Sequence, residues 1–158
     1  MTAILVIGYG NPLRGDDGAG WEAIRRLRVL YTGCTPDAPE FITCQQLTPE
    51  IAEPASRASL LIFIDASCAG APGTIKIKRV EPAEPSSDNP FTHHVSPAGV
   101  LELARLLYGR APAAWIASIA AESMEIGERL TGQVKKRLDT LVARVSHLID
   151  AHIFEDSA

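Results

Sequence analysis

The sequence predicts an α/β fold in which a five-stranded, mostly parallel sheet lies between layers of helices, with one antiparallel strand at an edge. Residues 3–65 alternate short apolar strands with helical segments in the order βαβαβ. A fourth strand follows after only about eight residues, 66–73, which is too few for a crossover helix. A further helix, strand and helix complete the chain. This alternation is typical of a three-layer sandwich with helices on both faces of the sheet.

The first half of the chain supplies three predicted parallel strands and two helices. Residues 3–8 form an apolar, β-branched run ending in glycine, and residues 59–65 form the strongest such run. Apolar positions recur at helical spacing over residues 19–30. Residues 40–44 are the second strand, and Thr48 with Pro49 has the pattern of an N-cap that opens a short second helix. Right-handed crossovers then predict the strand order 2-1-3.

The second half begins with a strand that alternates apolar and charged residues, 74–80, predicted to be an antiparallel edge strand reached by a hairpin. Residues 81–92 are rich in Pro, Ser and Asp and are predicted as loop. The other predicted elements are a helix capped by Ser96 and ending near residue 108, a strand over 114–119 and a helix from Thr131 to about 148. Residues 1–150 are therefore expected to be one domain, with 151–158 a frayed tail.

Composition excludes several classes of protein. The chain has 158 residues and a formal net charge of −4, which argues against nucleic-acid binding. The apolar run at residues 3–7 is too short to span a bilayer and no basic segment precedes it, so we expect a cytoplasmic protein that does not bind membranes. Three cysteines without a Cys-x-x-Cys pair suggest neither disulfides nor a thiolate zinc site, and we expect them to be buried packing residues.

Acidic residues and histidines are predicted to converge beyond the carboxyl ends of strands 1 and 3. Ligands bind there in open α/β sheets, where the strand order reverses. The loop after strand 1 carries Asp16 and Asp17, strand 3 ends at Asp65, and the long loop can bring His93 or His94 beside them. Two carboxylates and an imidazole suit a divalent metal. Asp16 fits a helix cap better and Asp17 a ligand, and Asp65 is either a ligand or simply the first exposed loop residue.

Two nucleotide-binding patterns are incomplete in the same loop. Leu13 stands where the third glycine of a dinucleotide-binding fingerprint belongs. Gly10 and Gly15 have the spacing of a phosphate loop, but Asp16 and Asp17 occupy the positions of its Lys and Ser or Thr. Two carboxylates repel phosphate, so the loop favours a cation. A dinucleotide-binding α/β protein is nevertheless retained as an alternative.

Residues 8–20, GYGNPLRGDDGAG, resemble the N-terminal signature of the hydrogenase maturation proteases. The resemblance continues over most of the chain: LIFIDA at 61–66 is similar to the family's second acidic motif, 93–109 to its histidine motif and 122–131 to its late loop. It implies a peptidase of the aspartate and metal-dependent type, with a twisted five-stranded sheet between helices. The implied activity is hydrolytic removal of a C-terminal extension from the large-subunit precursor of a [NiFe] hydrogenase after nickel insertion.

The resemblance also implies the site residues. By position, the family's metal-contacting acids fall on Asp17 and Asp65. Its histidine is followed seven and eight places later by two aliphatic residues; counted from His93 both places are aliphatic, whereas counted from His94 the second is Glu102. Because a charge fits poorly on a core face, His93 is chosen, with His94 and Asp16 as alternatives. The implied metal is nickel, carried by the precursor, although another divalent metal could occupy the site.

Several alternatives remain for the chemistry. The three residues either recognise nickel already held by the precursor or keep a metal that polarises the scissile carbonyl and activates water. The first is preferred because no His-Glu-x-x-His helix marks a resident zinc site. Cys68 is a weaker candidate nucleophile, and Ser67 lacks a glycine-flanked elbow. A non-catalytic nickel-site chaperone or scaffold is the alternative class. Residues 46–50, 107–109 and 127–130 resemble family members that serve bidirectional, NAD-linked hydrogenases.

Overall fold

The structure is a computed structural model that describes residues 3–34, 36–84 and 95–158. Short 3-10 turns at Gly15–Gly18 and Pro49–Ile51 precede the first two helices. The strands and helices, in chain order, are β1 Ile4–Tyr9, α1 Ala19–Leu30, β2 Glu40–Cys44, α2 Ala52–Arg57, β3 Leu60–Ser67, β4 Ile75–Val80, α3 Pro97–Tyr108, β5 Ala113–Ala120 and α4 Gly132–Ser157.

The described strands form one five-stranded sheet in the order β2-β1-β3-β5-β4. All neighbouring strands are parallel except β4 and β5, which confirms the mostly parallel sheet, the order 2-1-3 and the antiparallel edge strand. The predicted hairpin between β3 and β4 is wrong, because β5 lies between them. The buried apolar run 60–64 of β3 favours a partner strand on both edges, whereas the exposed lysines of β4 suit the sheet edge.

Helices cover both faces of the sheet, as predicted. On one face α1 and α4 pack over β1, β3 and β5, and the apolar stripe of α4 is buried there together with Ile149. On the other face, apolar residues of α3 and of the segment around α2 cover Leu61 and Phe63. Each strand of the sheet centre therefore buries side chains in both directions, which explains why β1 and β3 are continuous apolar runs rather than alternating ones.

The last helix is longer than the predicted end near residue 148, and it continues through the segment expected as a tail. Three contacts hold this extension against the body. The Tyr31 hydroxyl donates to Asp150 Oδ1 at 2.7 Å, His152 Nε2 lies 3.0 Å from Ser59 Oγ, and Ile153 packs against the core. Among helices in the described ranges, none is long and apolar enough to cross a membrane.

Two of the three cysteines are not the buried packing residues that the sequence suggested. Cys34 and Cys68 are exposed, whereas Cys44 is half-buried and packs against the core. Cys34 lies in the turn after α1, and Cys68 follows the last residue of β3. Each therefore stands just beyond the end of an element, outside the layer where the sheet packs against its helices.

Candidate functional site

The carboxyl ends of β1 and β3 bring Tyr9 and Asp65 together. The two strands pair in parallel with Gly8 opposite Ile64, so the next residues along each strand are neighbours. The Tyr9 hydroxyl donates a hydrogen bond to the Asp65 carboxylate. The Tyr9 ring also meets Phe63 edge to face, with ring centroids 6.5 Å apart, and this contact holds the phenol in place.

The loop after β1 presents Asp17 to the same edge of the sheet. The backbone N–H of Asn11 donates to Asp17 Oδ2 at 2.8 Å, and Asn11 Oδ1 in turn accepts from the N–H of Leu13 at 2.9 Å. Gly10 has φ +134°, and a Cβ there would lie 2.1 Å from the carbonyl oxygen of Asp17. This close approach requires glycine, and it explains why the acidic loop begins with one.

The charge of Asp17 destabilises the ionised form of Asp65. Burial raises the pKa of Asp65 to about 6, and the charge of Asp17 adds to the rise, while hydrogen bonds from Tyr9 and the N–H of Ala66 oppose it. Burial and the Asp65 carboxylate likewise raise the pKa of Tyr9 well above its usual range, so the phenol remains a donor. No ion pair in the described part of the chain involves Asp17 or Asp65. A cation between the two acids would relieve their repulsion.

The predicted third ligand lies outside the described residues, since they include neither His93 nor His94. Within the described ranges, no group of three or more His, Cys, Asp or Glu side chains could hold a metal ion. Glu102 does not favour His93 over His94, because it is itself buried on α3, at 8% exposure. A charged residue is thus tolerated at that position, and the choice between the two histidines stays a prediction.

Asp16 has a different role from the helix cap that the sequence suggested. No side-chain cap bond is present at the start of either the 3-10 turn or α1. Instead the carboxylate is fully buried and accepts four hydrogen bonds from the segment between β5 and α4. The donors are Thr131 N at 2.7 Å, Thr131 Oγ1 at 2.7 Å, Glu122 N at 2.9 Å and Ser123 N at 3.1 Å.

Burial raises the pKa of Asp16, but the hydrogen bonds from Thr131, Glu122 and Ser123 outweigh it and lower the pKa below its usual value. The cap prediction failed because the four donors come from more than 100 residues downstream, as the sequence separation of 106 between Asp16 and Glu122 illustrates. With four donors on its two oxygens, Asp16 is poorly placed to bind a metal as well.

The sequence did not single out Tyr9, Thr131 or Trp21 as contributors to this region. Trp21 Nε1 donates to the carbonyl oxygens of Gly10, at 2.9 Å, and Cys44, at 3.1 Å, and so joins the loop after β1 to the end of β2. Tyr9 was detectable in principle, because the last residue of strand 1 must lie beside Asp65 in a parallel pair. The partners of Thr131 and Trp21 depend on long-range contacts that leave no local pattern.

Cys68 is exposed beyond the end of β3, and its sulfur lies 3.9 Å from the Sδ of Met124. A thiolate nucleophile needs a neighbouring base or cation. The described contact of Cys68 is a thioether instead, which gives the thiol no activation.

Solved structures resemble this chain over nearly its full length. The hydrogenase maturating endopeptidase HybD from Escherichia coli has 26% sequence identity and a TM-score of 0.74, with 96% of this chain and 94% of that chain covered. An endopeptidase from Escherichia coli has 25% identity and a TM-score of 0.69, covering 91% of this chain and 90% of that one.

The [NiFe] hydrogenase maturation protease HycI from Thermococcus kodakarensis shares the fold at 20% identity, with a TM-score of 0.72 and 94% and 93% of the two chains covered. No protein-family profile matches the chain, and no curated protein matches it either. Over nearly its full length, the chain therefore resembles solved structures of hydrogenase maturation proteases.

Proposed function

We propose that this protein is an endopeptidase that removes a C-terminal extension from the large-subunit precursor of a [NiFe] hydrogenase after nickel insertion. The observation that carries the proposal is a pair of carboxylates without a basic ion-pair partner among the described residues, Asp17 in the loop after β1 and Asp65 near the end of the neighbouring parallel strand β3. Its structural neighbours that are named as hydrogenase-maturing endopeptidases support the same activity.

Asp17 and Asp65 bind the nickel that the precursor carries, and His93 completes the set, with His94 as the alternative. Cleavage then depends on nickel because, without it, the two like charges have nothing to compensate them. The Tyr9 hydroxyl orients the Asp65 carboxylate through the hydrogen bond that it donates. In the alternative chemistry the same residues hold a metal of the enzyme's own, which would polarise the scissile carbonyl and activate water.

The experiment is to incubate the purified protein with nickel-loaded and nickel-free precursor and to weigh the products by intact-mass spectrometry. We expect one C-terminal fragment to be released from the nickel-loaded precursor alone. Equal cleavage of both precursors would contradict nickel recognition. A stable complex without cleavage would indicate a chaperone or scaffold in place of a peptidase.

Two pairs of variants test which residues belong to the site. Asp17→Asn and Asp65→Asn should each abolish cleavage, whereas the control Glu155→Gln should not, because Glu155 is exposed near the end of α4. His93→Ala should lose nickel affinity and cleavage by roughly tenfold or more, since one ligand of three is removed, and His94→Ala should be mild. A severe His94 variant beside an active His93 variant would reverse the assignment.

Cysteine chemistry has its own test. Cys68→Ala should cleave at the wild-type rate, because its described neighbour Met124 cannot activate a thiol. Loss of cleavage by this variant, with an unchanged melting temperature, would replace the metal-dependent proposal with a thiol nucleophile.

A further inference from the structure

A groove of about 670 Å³ lies behind the loop that carries Asp17. Its lining includes Trp21 and the two glycines on either side of the aspartate pair, Gly15 and Gly18. The Trp21 indole donates its N–H to the carbonyl of Gly10, and Gly10 packs directly against Asp17. We name this the basic groove; its lining includes Gly18, the residue that follows Asp17 in the chain.

The basic groove carries a charge opposite to that of the whole protein. Its lining includes five cationic residues and two acidic ones, an excess of three positive charges in a protein of net charge −4. The cations are Arg25, Arg26, Arg28, Arg129 and Lys135, and the acids are Glu22 and Glu128.

Part of this charge is already compensated. Glu22 pairs with Arg25 and Arg26, at 2.6 and 3.2 Å. No ion pair in the described ranges involves Arg129 or Lys135, and both are exposed on the wall opposite α1. These two residues are therefore the cations with most freedom to meet an incoming anionic group.

We propose that the basic groove binds an acidic segment of the protein substrate, and so positions the scissile bond at the carboxylates. The inference rests on the proposed function, because it assigns that segment to the hydrogenase precursor. Charge complementarity argues for the occupant: three arginines of α1 line the groove together with Arg129 and Lys135, which suits side-chain carboxylates spread along a peptide. The net charge of −4 disfavours a nucleic acid, and the proposed function supplies a protein substrate, so a peptide is the favoured occupant.

Trp21 provides a direct reporter, since the chain has two tryptophans and Trp115 lies on β5, outside the groove. In a Trp115→Phe background, titration with a hexaglutamate peptide should change the Trp21 fluorescence saturably, and 0.5 M salt should abolish the change. Hexalysine is the control peptide. The groove variant combines Arg129→Gln with Lys135→Gln. The control variant combines Arg144→Gln with Lys78→Gln, two exposed positions outside the groove.

The groove variant should bind hexaglutamate roughly five- to tenfold more weakly than wild type, because two surface charges contribute about 0.5 kcal/mol or more each. The control variant should bind like wild type. Equal binding by both variants, or no saturable change in the wild type, would overturn the proposal. A ten-nucleotide oligothymidylate that competes as strongly as hexaglutamate would also overturn it, in favour of nucleic acid.

Processing of the nickel-loaded precursor separates this inference from the proposed function. If the wild type does not cleave, the proposed function fails whatever the groove binds. If the wild type cleaves, the groove variant should show a raised KM with an unchanged kcat, since the carboxylates are intact. A cleaving wild type beside a groove variant with unaltered KM would overturn the docking role alone.

Discussion

Asp16 and Asp17 follow one another in the chain, and their carboxylates lie in opposite surroundings. The Asp16 carboxylate is fully buried and accepts four hydrogen bonds from described residues of the segment before α4. The Asp17 carboxylate is half-buried and accepts one, from the N–H of Asn11, within the described chain. Adjacent acids of identical chemistry are thus separated by the fold into a structural group and a group available to a ligand.

Asp16 also differs in its pKa from Asp65, the other candidate ligand. Hydrogen bonds lower the pKa of Asp16 in spite of its burial, whereas burial and the charge of Asp17 raise the pKa of Asp65 to about 6. Ionised Asp16 therefore stabilises the fold, and ionised Asp65 destabilises it. A site that is destabilising until a ligand arrives is common where function rather than stability determines the residues.

The largest expected effect on stability is that of Asp16→Asn. The amide would point hydrogen-bond donors at backbone donors in a fully buried place, and we expect a loss of about 3 kcal/mol in the free energy of unfolding. This difference between variant and wild type should be fully present above about pH 4. It should shrink in acid as the wild-type carboxylate is protonated, because the folded-state pKa of Asp16 is lowered. Urea unfolding across pH measures it; a change below about 0.5 kcal/mol at pH 7 would break the comparison.

Asp65→Asn should change the free energy of unfolding in the opposite direction. The folded-state pKa of about 6 lies above the ordinary value of 3.8, so wild-type stability falls as the pH rises through this window. The variant removes that penalty and should be more stable by about 1–2 kcal/mol above pH 6, and nearly equal to wild type at pH 4. Unfolding in the presence of a chelator tests this; a variant less stable than wild type at pH 7 would contradict it.

Thr131→Val should have a smaller effect than Asp16→Asn, because it removes one bond of the Asp16 cluster. Thr131 precedes α4 without capping it through its side chain, so the variant removes the hydroxyl donated to Asp16 and leaves the backbone donors. We expect a loss of about 1–2 kcal/mol. Thr140→Val on the same helix is the matched control, and it should change stability by less than about 0.5 kcal/mol. Similar losses in both variants would show that Thr131 does not act through Asp16.

The fold could be predicted from the sequence because its signals are local. The apolar runs of β1 and β3 mark buried parallel strands, and Ser96 caps α3 through a hydrogen bond from the N–H of Gly99, as its pattern predicted. The pairing of β4 with β5 could not be predicted in the same way. The residues of β4 suit an edge position beside either β3 or β5, and β5 comes later in the chain, so no local pattern in β4 identifies its partner.

The candidate site was predictable where topology alone decides. Adjacent parallel strands bring the loop of Asp17 to Asp65, and the sequence order implies this juxtaposition. The distinction between Asp16 and Asp17 was only partly predictable. Asp17 was identified as the candidate ligand, but the buried role of Asp16 depends on Glu122, Ser123 and Thr131, which reach it across the whole second half of the fold.

The most direct measurement compares precursor cleavage and unfolding free energy in Asp17→Asn and the wild type. We predict that the variant releases no C-terminal fragment from nickel-loaded precursor while its unfolding free energy stays within about 0.5 kcal/mol of wild type, because Asn can still accept the bond from Asn11. Cleavage at the wild-type rate would contradict the assignment of Asp17 to the site. Loss of cleavage together with a large loss of stability would show that Asp17, like its neighbour, is structural.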